Sequence, residues 1–329
     1  MPEFPPLLAV KDVKALGAAG GQAFASMLVV RKLATKLAAN GNPFLSLELG
    51  DRSGSFTCTV FSDSPAYESI KAAGEGAVLR VEGKIEYYQG RLSPRLGKVA
   101  ALDEGKLSDP ALVANLVENA PEDAKKLTAE LAAFVTGIGR PELRATVQAV
   151  FEELGDVFHV APAALGMHHA YRHGLLEHTV RMARAAQALA PLYPETDADL
   201  VMAGVLLHDT GKAIEYEGTL SPRRTRRGIL QGHVVLGYQL VRKAGFKAKL
   251  DAELLERLEH VVLSHQGKLE WGAAVMAATP EAVLVSMIDN LDAKMGMVQR
   301  ALRQAAAGEE FSERLPGLES ALLTRPPPS

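Results

Sequence analysis

Two periodicities divide this chain. From about residue 20 to residue 105, apolar side chains recur at every second position, the period of a half-buried strand. In Phe44–Leu49 the residues Leu45, Leu47 and Leu49 share one face, opposite Phe44, Ser46 and Glu48. Gly50-Asp51-Arg52-Ser53-Gly54 is a turn signal, and Ser55–Phe61 alternates again with Phe56, Cys58 and Val60 together. Ser62–Ala73 reads as a short helix closed by Gly74. Ala77–Tyr88 reads as a long strand with Leu79, Val81, Ile85 and Tyr87 on one side, and Gln89-Gly90 turns it into a last strand, Arg91–Leu102. Met27–Lys36 is the first of these five strands.

Five strands with a helix between the third and fourth is the order of an OB-fold, a small barrel that often binds oligonucleotides. A polar stretch at 103–108 follows. From Pro110 the apolar spacing becomes helical, over segments near 109–118, 121–137, 141–154, 174–190, 197–210, 230–244, 250–265 and 280–305. Pro121, Pro141 and Pro280 stand where a first helical turn tolerates proline, and Thr279 is a fitting N-cap. The fold class is therefore multidomain, β then α: a five-stranded OB-fold barrel followed by an all-α domain. The expected divisions are an extension over 1–19, the barrel over 20–105, a helical linker over 106–158, a helical domain over 159–307 and a tail over 308–329.

Composition narrows the class only slightly. A net charge of −3 over 329 residues does not by itself announce a polyanion partner, so such a case must rest on local patches. The single cysteine, Cys58, excludes an internal disulfide. Met1–Val10 lacks the basic and apolar regions of a secretory leader, and no apolar run reaches the ~18–20 residues that span a bilayer. A cytoplasmic protein with no membrane partner is expected, its oligomeric state unreadable.

The chemistry concentrates in Leu206-Leu207-His208-Asp209-Thr210-Gly211-Lys212. An imidazole and a carboxylate close the apolar run Leu200–Leu207, and a buried carboxylate needs a partner. His178 shares a helix face with Met182, Ala185 and Leu189, and His265 ends the stripe Leu254, Leu258, Val261. Asp289 follows Val285 on its face, and His233 is a further candidate. Taken singly, each is a satisfied core residue; together they form a ligand set for a divalent cation.

The ordered set extends beyond these residues. It comprises Ala161-Pro162-Ala163-Ala164, His168-His169-Ala170, Gly174-Leu175-Leu176-Glu177-His178-Thr179, His208-Asp209-x-Gly211-Lys212, Gly232-His233, Leu263-Ser264-His265 and Ile288-Asp289-Asn290-Leu291-Asp292-Ala293-Lys294. The order resembles the HD superfamily of metal-dependent phosphohydrolases. Within it, nearly the whole chain resembles the YhaM-like 3′→5′ exoribonucleases, which join an N-terminal OB-fold to a C-terminal HD domain. The resemblance implies that His178, His208, Asp209 and Asp289 hold one cation. It assigns His233 and His265 to a second, with Asp209 as a bridge. Manganese is the first expectation, with Co²⁺, Fe²⁺, Mg²⁺ and Zn²⁺ as alternatives, at one or two ions per chain. Two departures stand out: Gln266 occupies a place where the family commonly has a second histidine, and His173 one where it has a small residue. An amide is a weak oxygen ligand or holds a water, so the second cation is the less secure.

Such a site suits phosphodiester hydrolysis by a metal-activated water. Asp209 is expected at its centre; Lys212, one turn on, is a phosphate contact or a solvated helix-end lysine; Asp292 orients a ligand or a water. Glu177 reads as solvated or supporting, His260 as a surface residue, and His168 and His169 as substrate or supporting groups. Ser221-Pro222-Arg223-Arg224-Thr225-Arg226-Arg227-Gly228, between Asp209 and His233, is a candidate phosphate-binding rim through Arg223, Arg224, Arg226 and Arg227. In the barrel, Phe44, Phe61 and Tyr88 fall among cations, a pattern suited to stacking single-stranded bases.

The expected activity is 3′→5′ exonuclease action on single-stranded RNA, with single-stranded DNA as a further substrate. The direction comes from the resemblance alone. Two other readings are an HD phosphohydrolase of a small nucleotide or cyclic dinucleotide, and a non-catalytic single-strand binder with a structural metal.

Overall fold

The computed structural model describes residues 6–16, 21–88, 91–102, 110–165, 169–218, 220–304, 310–315 and 317–325. The chain divides into two compact units, Met1–Asn119 with Gly218–Pro222, and Ala120–Glu217 with Arg223–Ser329.

The first unit contains α1 (Val10–Ala15), β1 (Ala23–Leu37), β2 (Pro43–Asp51), β3 (Gly54–Phe61), α2 (Tyr67–Ala73), β4 (Val78–Lys84), β5 (Tyr87–Tyr88), β6 (Arg91–Leu92), β7 (Arg95–Ala101) and α3 (Pro110–Leu116). Five strands form one antiparallel OB-like sheet in the order β3-β2-β1-β4-β7. The alternation in the sequence sets the register. Leu45, Leu47 and Leu49 pair with Val60, Cys58 and Phe56, and all six are buried. Central β1 starts earlier than its apolar run suggests because it is paired on both sides. Ala23–Val29 runs against β4 and Val29–Leu37 against β2.

The fourth expected strand, in contrast, stops at Lys84. The register slips between Glu82 and Gly83, and Tyr87–Tyr88 pairs instead with Arg91–Leu92 in a separate ribbon. Ile85 stays in the core, but Tyr87 is exposed, so the expected two-residue alternation fails where ladder pairing ends.

The second unit contains α4 (Ala124–Gly137), α5 (Pro141–Leu154), α6 (Asp156–Val160), α7 (Gly174–Leu189), α8 (Ala198–Leu207), α9 (Lys212–Glu215), β8 (Tyr216–Glu217), β9 (Arg223–Arg224), α10 (Arg226–Ala248), α11 (Ala252–Ser264) and α12 (Pro280–Gln304). Side chains cap five of these helices, the expected Thr279 among them. Asp123, Asp197, Thr225 and Asp251 accept first-turn N–H groups of α4, α8, α10 and α11, and Thr279 Oγ1 accepts from Ala282. The stretch read as a linker contributes to this unit's core. Leu127 and Leu131 of α4 and Leu143, Val147 and Val150 of α5 bury with residues of α7, α8, α10 and α11.

Helix α8 is the centre of the helical unit. Leu200, Val201, Ala203, Gly204, Val205, Leu206 and Leu207 are all buried, which requires neighbours on every side. That placement carries the residues following Leu207 into the interior. Among the described residues, no helix is long and apolar enough to cross a membrane.

Candidate metal centre

His208 follows the last turn of α8 and is fully buried. Its Nδ1–H donates to Val205 O at 2.7 Å, which leaves the Nε2 lone pair facing inward. Helix α7 brings His178, α12 brings Asp289 and Asp292, α10 brings His233, and His265 closes α11. Two glycines make the approach of α10 possible. A Cβ on Gly211 would lie 2.0 Å from His233 O and 2.6 Å from Gly237 N, so only glycine lets α10 pack against the His208-Asp209 turn. Gly232 takes φ +70° and breaks α10 just before His233, a conformation a side chain rarely adopts.

The groups converge in two overlapping clusters that share Asp209. In one, His178 Nε2 lies 3.2 Å from His208 Nε2, 3.3 Å from Asp289 Oδ1 and 3.5 Å from Asp209 Oδ2, which is 3.4 Å from His208 Nε2. In the other, Asp209 Oδ1 lies 3.5 Å from His233 Nε2 and 3.4 Å from His265 Nε2. All four imidazoles place Nδ1 beside an acceptor. These are Asp292 Oδ2 for His178, Val205 O for His208, Glu215 Oε2 for His233 and Val262 O for His265. Outer hydrogen bonds of this kind fix the tautomer and aim Nε2 at a cation. Asp209 Oδ1 is buried with no hydrogen-bond partner among the described residues, although it faces two imidazole nitrogens. An unpaired carboxylate oxygen beside two lone pairs is costly, and a divalent cation removes that cost. The donor set of imidazoles and carboxylates fits such an ion.

Opposite charges keep one another ionised around this centre. Burial opposes charging of His178, but hydrogen bonds to Asp289 and Asp292 outweigh it and push its pKa up to about 10. Burial likewise opposes ionisation of Asp289, yet the His178 hydrogen bond and the His208 and His178 charges bring it down to about 2. Asp209 is held well below the usual carboxylate range against its burial, by Lys212 and His208. Lys212 is raised despite burial, chiefly by the Asp209 and Asp289 charges.

Several expected site residues stand differently from the sequence reading. Lys212 is not solvated but buried, with Nζ donating to Asp209 Oδ2 at 2.6 Å. Asp292 touches His178 Nδ1 at 2.7 Å and His169 Nε2 at 2.8 Å, so it orients a histidine. His169, read as a substrate or supporting group, is 2 % exposed and lies between Asp292 and the pair Tyr171 and Glu177, a supporting position. Glu177 is fully buried, accepts from the Tyr171 hydroxyl and sits 3.6 Å from Arg181. The helical period put Glu177 off the His178 face but could not show that a second layer covers that face too.

His173 is a left-handed residue before α7, with Nδ1 2.6 Å from His159 O, and His260 Nε2 accepts from Ala278 N–H. His168 lies outside the described residues. Glu215 carried no signal in the sequence, yet it is buried, holds His233 at 2.9 Å and pairs with Arg224 at 3.2 Å.

Of the arginine run, Arg223 pairs with Glu217 at 3.0 Å and Arg224 with Glu215, while Arg226 and Arg227 open α10 with exposed side chains. In the OB-like unit, the Phe44 and Phe61 rings are 5.9 Å apart, and Phe61 is exposed. The Tyr88 side chain lies outside the described residues.

Comparison with protein families agrees with this geometry. Residues 175–294 match the HD domain family, and residues 29–99 match an OB-fold nucleic acid binding domain. The first match spans the helices that deliver His178, His208, Asp209, His233, His265 and Asp289. A region similar to the HD domain family, holding a buried His/Asp cluster, thus follows a region similar to OB-fold nucleic acid binding domains in one chain.

Proposed function

We propose that this chain is a metal-dependent 3′→5′ exoribonuclease that hydrolyses single-stranded RNA, and single-stranded DNA as a further substrate. The observation that carries the reading is Asp209: its two oxygens face two different imidazole pairs, and one of them has no other partner. His178, His208, Asp209 and Asp289 would hold one cation, and Asp209, His233 and His265 a second, with Mn²⁺ the expected ion. Cations held there would supply Lewis acidity toward a phosphoryl oxygen and would activate a water near neutral pH.

The chain's own residues prepare that chemistry. Lys212 keeps Asp209 ionised and fixes its rotamer, acting as a positioning residue. Asp292 holds the His178 ring with Nδ1 toward itself. Arg226 and Arg227 are the leading phosphate contacts, with Arg223 and Arg224 available once their carboxylates are relinquished. Phe44 and Phe61 offer stacking faces in the OB-fold domain. The joining of a strand-binding fold to a phosphohydrolase site favours a polymer over a small nucleotide. The 3′→5′ polarity rests on the resemblance to the YhaM-like enzymes.

The test is digestion of one single strand labelled at its 3′ or its 5′ end, in Mn²⁺. Immediate release of the 3′ label as mononucleotide, with gradual shortening of the 5′-labelled strand, is expected. Asp209→Ala should abolish both while strand binding persists. Cleavage only of small nucleotides, or full activity of Asp209→Ala, refutes the reading.

A further inference from the structure

Gln266 follows His265 at the end of α11, and its amide reaches into the second cluster. Its Nε2 lies 3.1 Å from His233 Nε2 and 3.0 Å from His265 Nε2. Those are the two ring nitrogens that flank the unpartnered Asp209 Oδ1. Both rings have Nδ1 committed to an acceptor, so both Nε2 atoms carry lone pairs. The amide N–H groups donate to them. A half-turn about Cγ–Cδ puts the amide oxygen in the same place, because the two ends of the amide are nearly the same size and shape.

We propose that Gln266 is the fourth protein donor of the second cation site, through its carbonyl oxygen, and that this makes the second cation the more weakly held and exchangeable of the two. The proposal rests on the two-cation reading above and adds a residue to it. The donor sets explain the ranking. The first site has two imidazoles and two carboxylates, Asp209 and Asp289. The second has two imidazoles, the shared Asp209 and a neutral amide, so it carries less charge toward a dication. A neutral oxygen in place of a nitrogen also shifts preference toward harder cations such as Mn²⁺ and away from Zn²⁺.

The experiment is a calorimetric titration of the full chain, stripped with chelator, with Mn²⁺. It is followed by the absorption spectrum of Co²⁺ as the second equivalent binds. Two equivalents are expected, the second weaker. Gln266→Ala should weaken the second by about tenfold or more, in the range that losing even an outer support costs a metal site. The same variant should leave the first unchanged and alter only the second-equivalent Co²⁺ spectrum. Gln266→Glu, which adds charge at the same length, should tighten the second by about tenfold.

A second equivalent as tight or tighter in Gln266→Ala, or weaker in Gln266→Glu, overturns the proposal. So does a single equivalent that is lost in His178→Ala; that result leaves the hydrolase reading standing. Absence of any bound cation in the unsubstituted chain refutes both.

Discussion

Loading of the first cation should expel a proton from His178. The ring is fully buried between Asp289 and Asp292, whose hydrogen bonds push its pKa up to about 10. A cation needs the Nε2 lone pair, and at pH 8 the protonated ring outnumbers the neutral one by about 100 to 1, a cost of roughly 3 kcal/mol to binding. The apparent affinity for Mn²⁺ should therefore rise about tenfold per pH unit, or about 30-fold from pH 7.0 to pH 8.5. An imidazole with its ordinary value near 6.5 would give an almost level profile over that window. The assay is calorimetry of the first equivalent at pH 8 in two buffers of different ionisation enthalpy. The slope of heat against buffer enthalpy should report close to one proton released. Asp292→Asn, which removes one of the two carboxylates that favour the charged ring, should reduce that number. A slope near zero together with a flat affinity profile would refute the electrostatic account of the site.

Three other outcomes follow from the same geometry. In chelator, His178 contributes stability that is complete below its ordinary value and is lost as pH climbs toward 10, so the cation-free Tm should be lower at pH 9 than at pH 7 and level in His178→Gln. Gly211→Ala puts a methyl group 2.0 Å from His233 O, and backbone must move to admit it. Weaker binding of the second Mn²⁺ and a reduced Tm are expected, and unchanged values for both would show that α10 is not pinned there. Arg226→Ala with Arg227→Ala should flatten the salt dependence of strand binding by about 0.7 in log–log slope for each phosphate no longer neutralised, whereas an unchanged slope removes these residues from the interface.

The sequence alone determined what local period and local chemistry can determine. Alternation at Leu45, Leu47, Leu49 and Val60, Cys58, Phe56 fixed which strand faces are buried, because a one-residue slip would expose the whole set. The unbroken apolar run Leu200–Leu207 required a helix buried on all sides and so placed His208 and Asp209 in the interior. The ordered histidines and aspartates pointed to a cation because no apolar face tolerates so many unpaired polar groups.

Tertiary structure decided everything that depends on distance between elements. Only packing shows that one Asp209 oxygen faces α7 and the other faces α10 and α11. Lys212 is captured by Asp209, Glu177 and His169 lie in a second buried layer, and Glu215 holds His233. A helical period states which residues share a face. It cannot say how many layers cover that face, since burial of a charged side chain is settled by the partners that other helices bring.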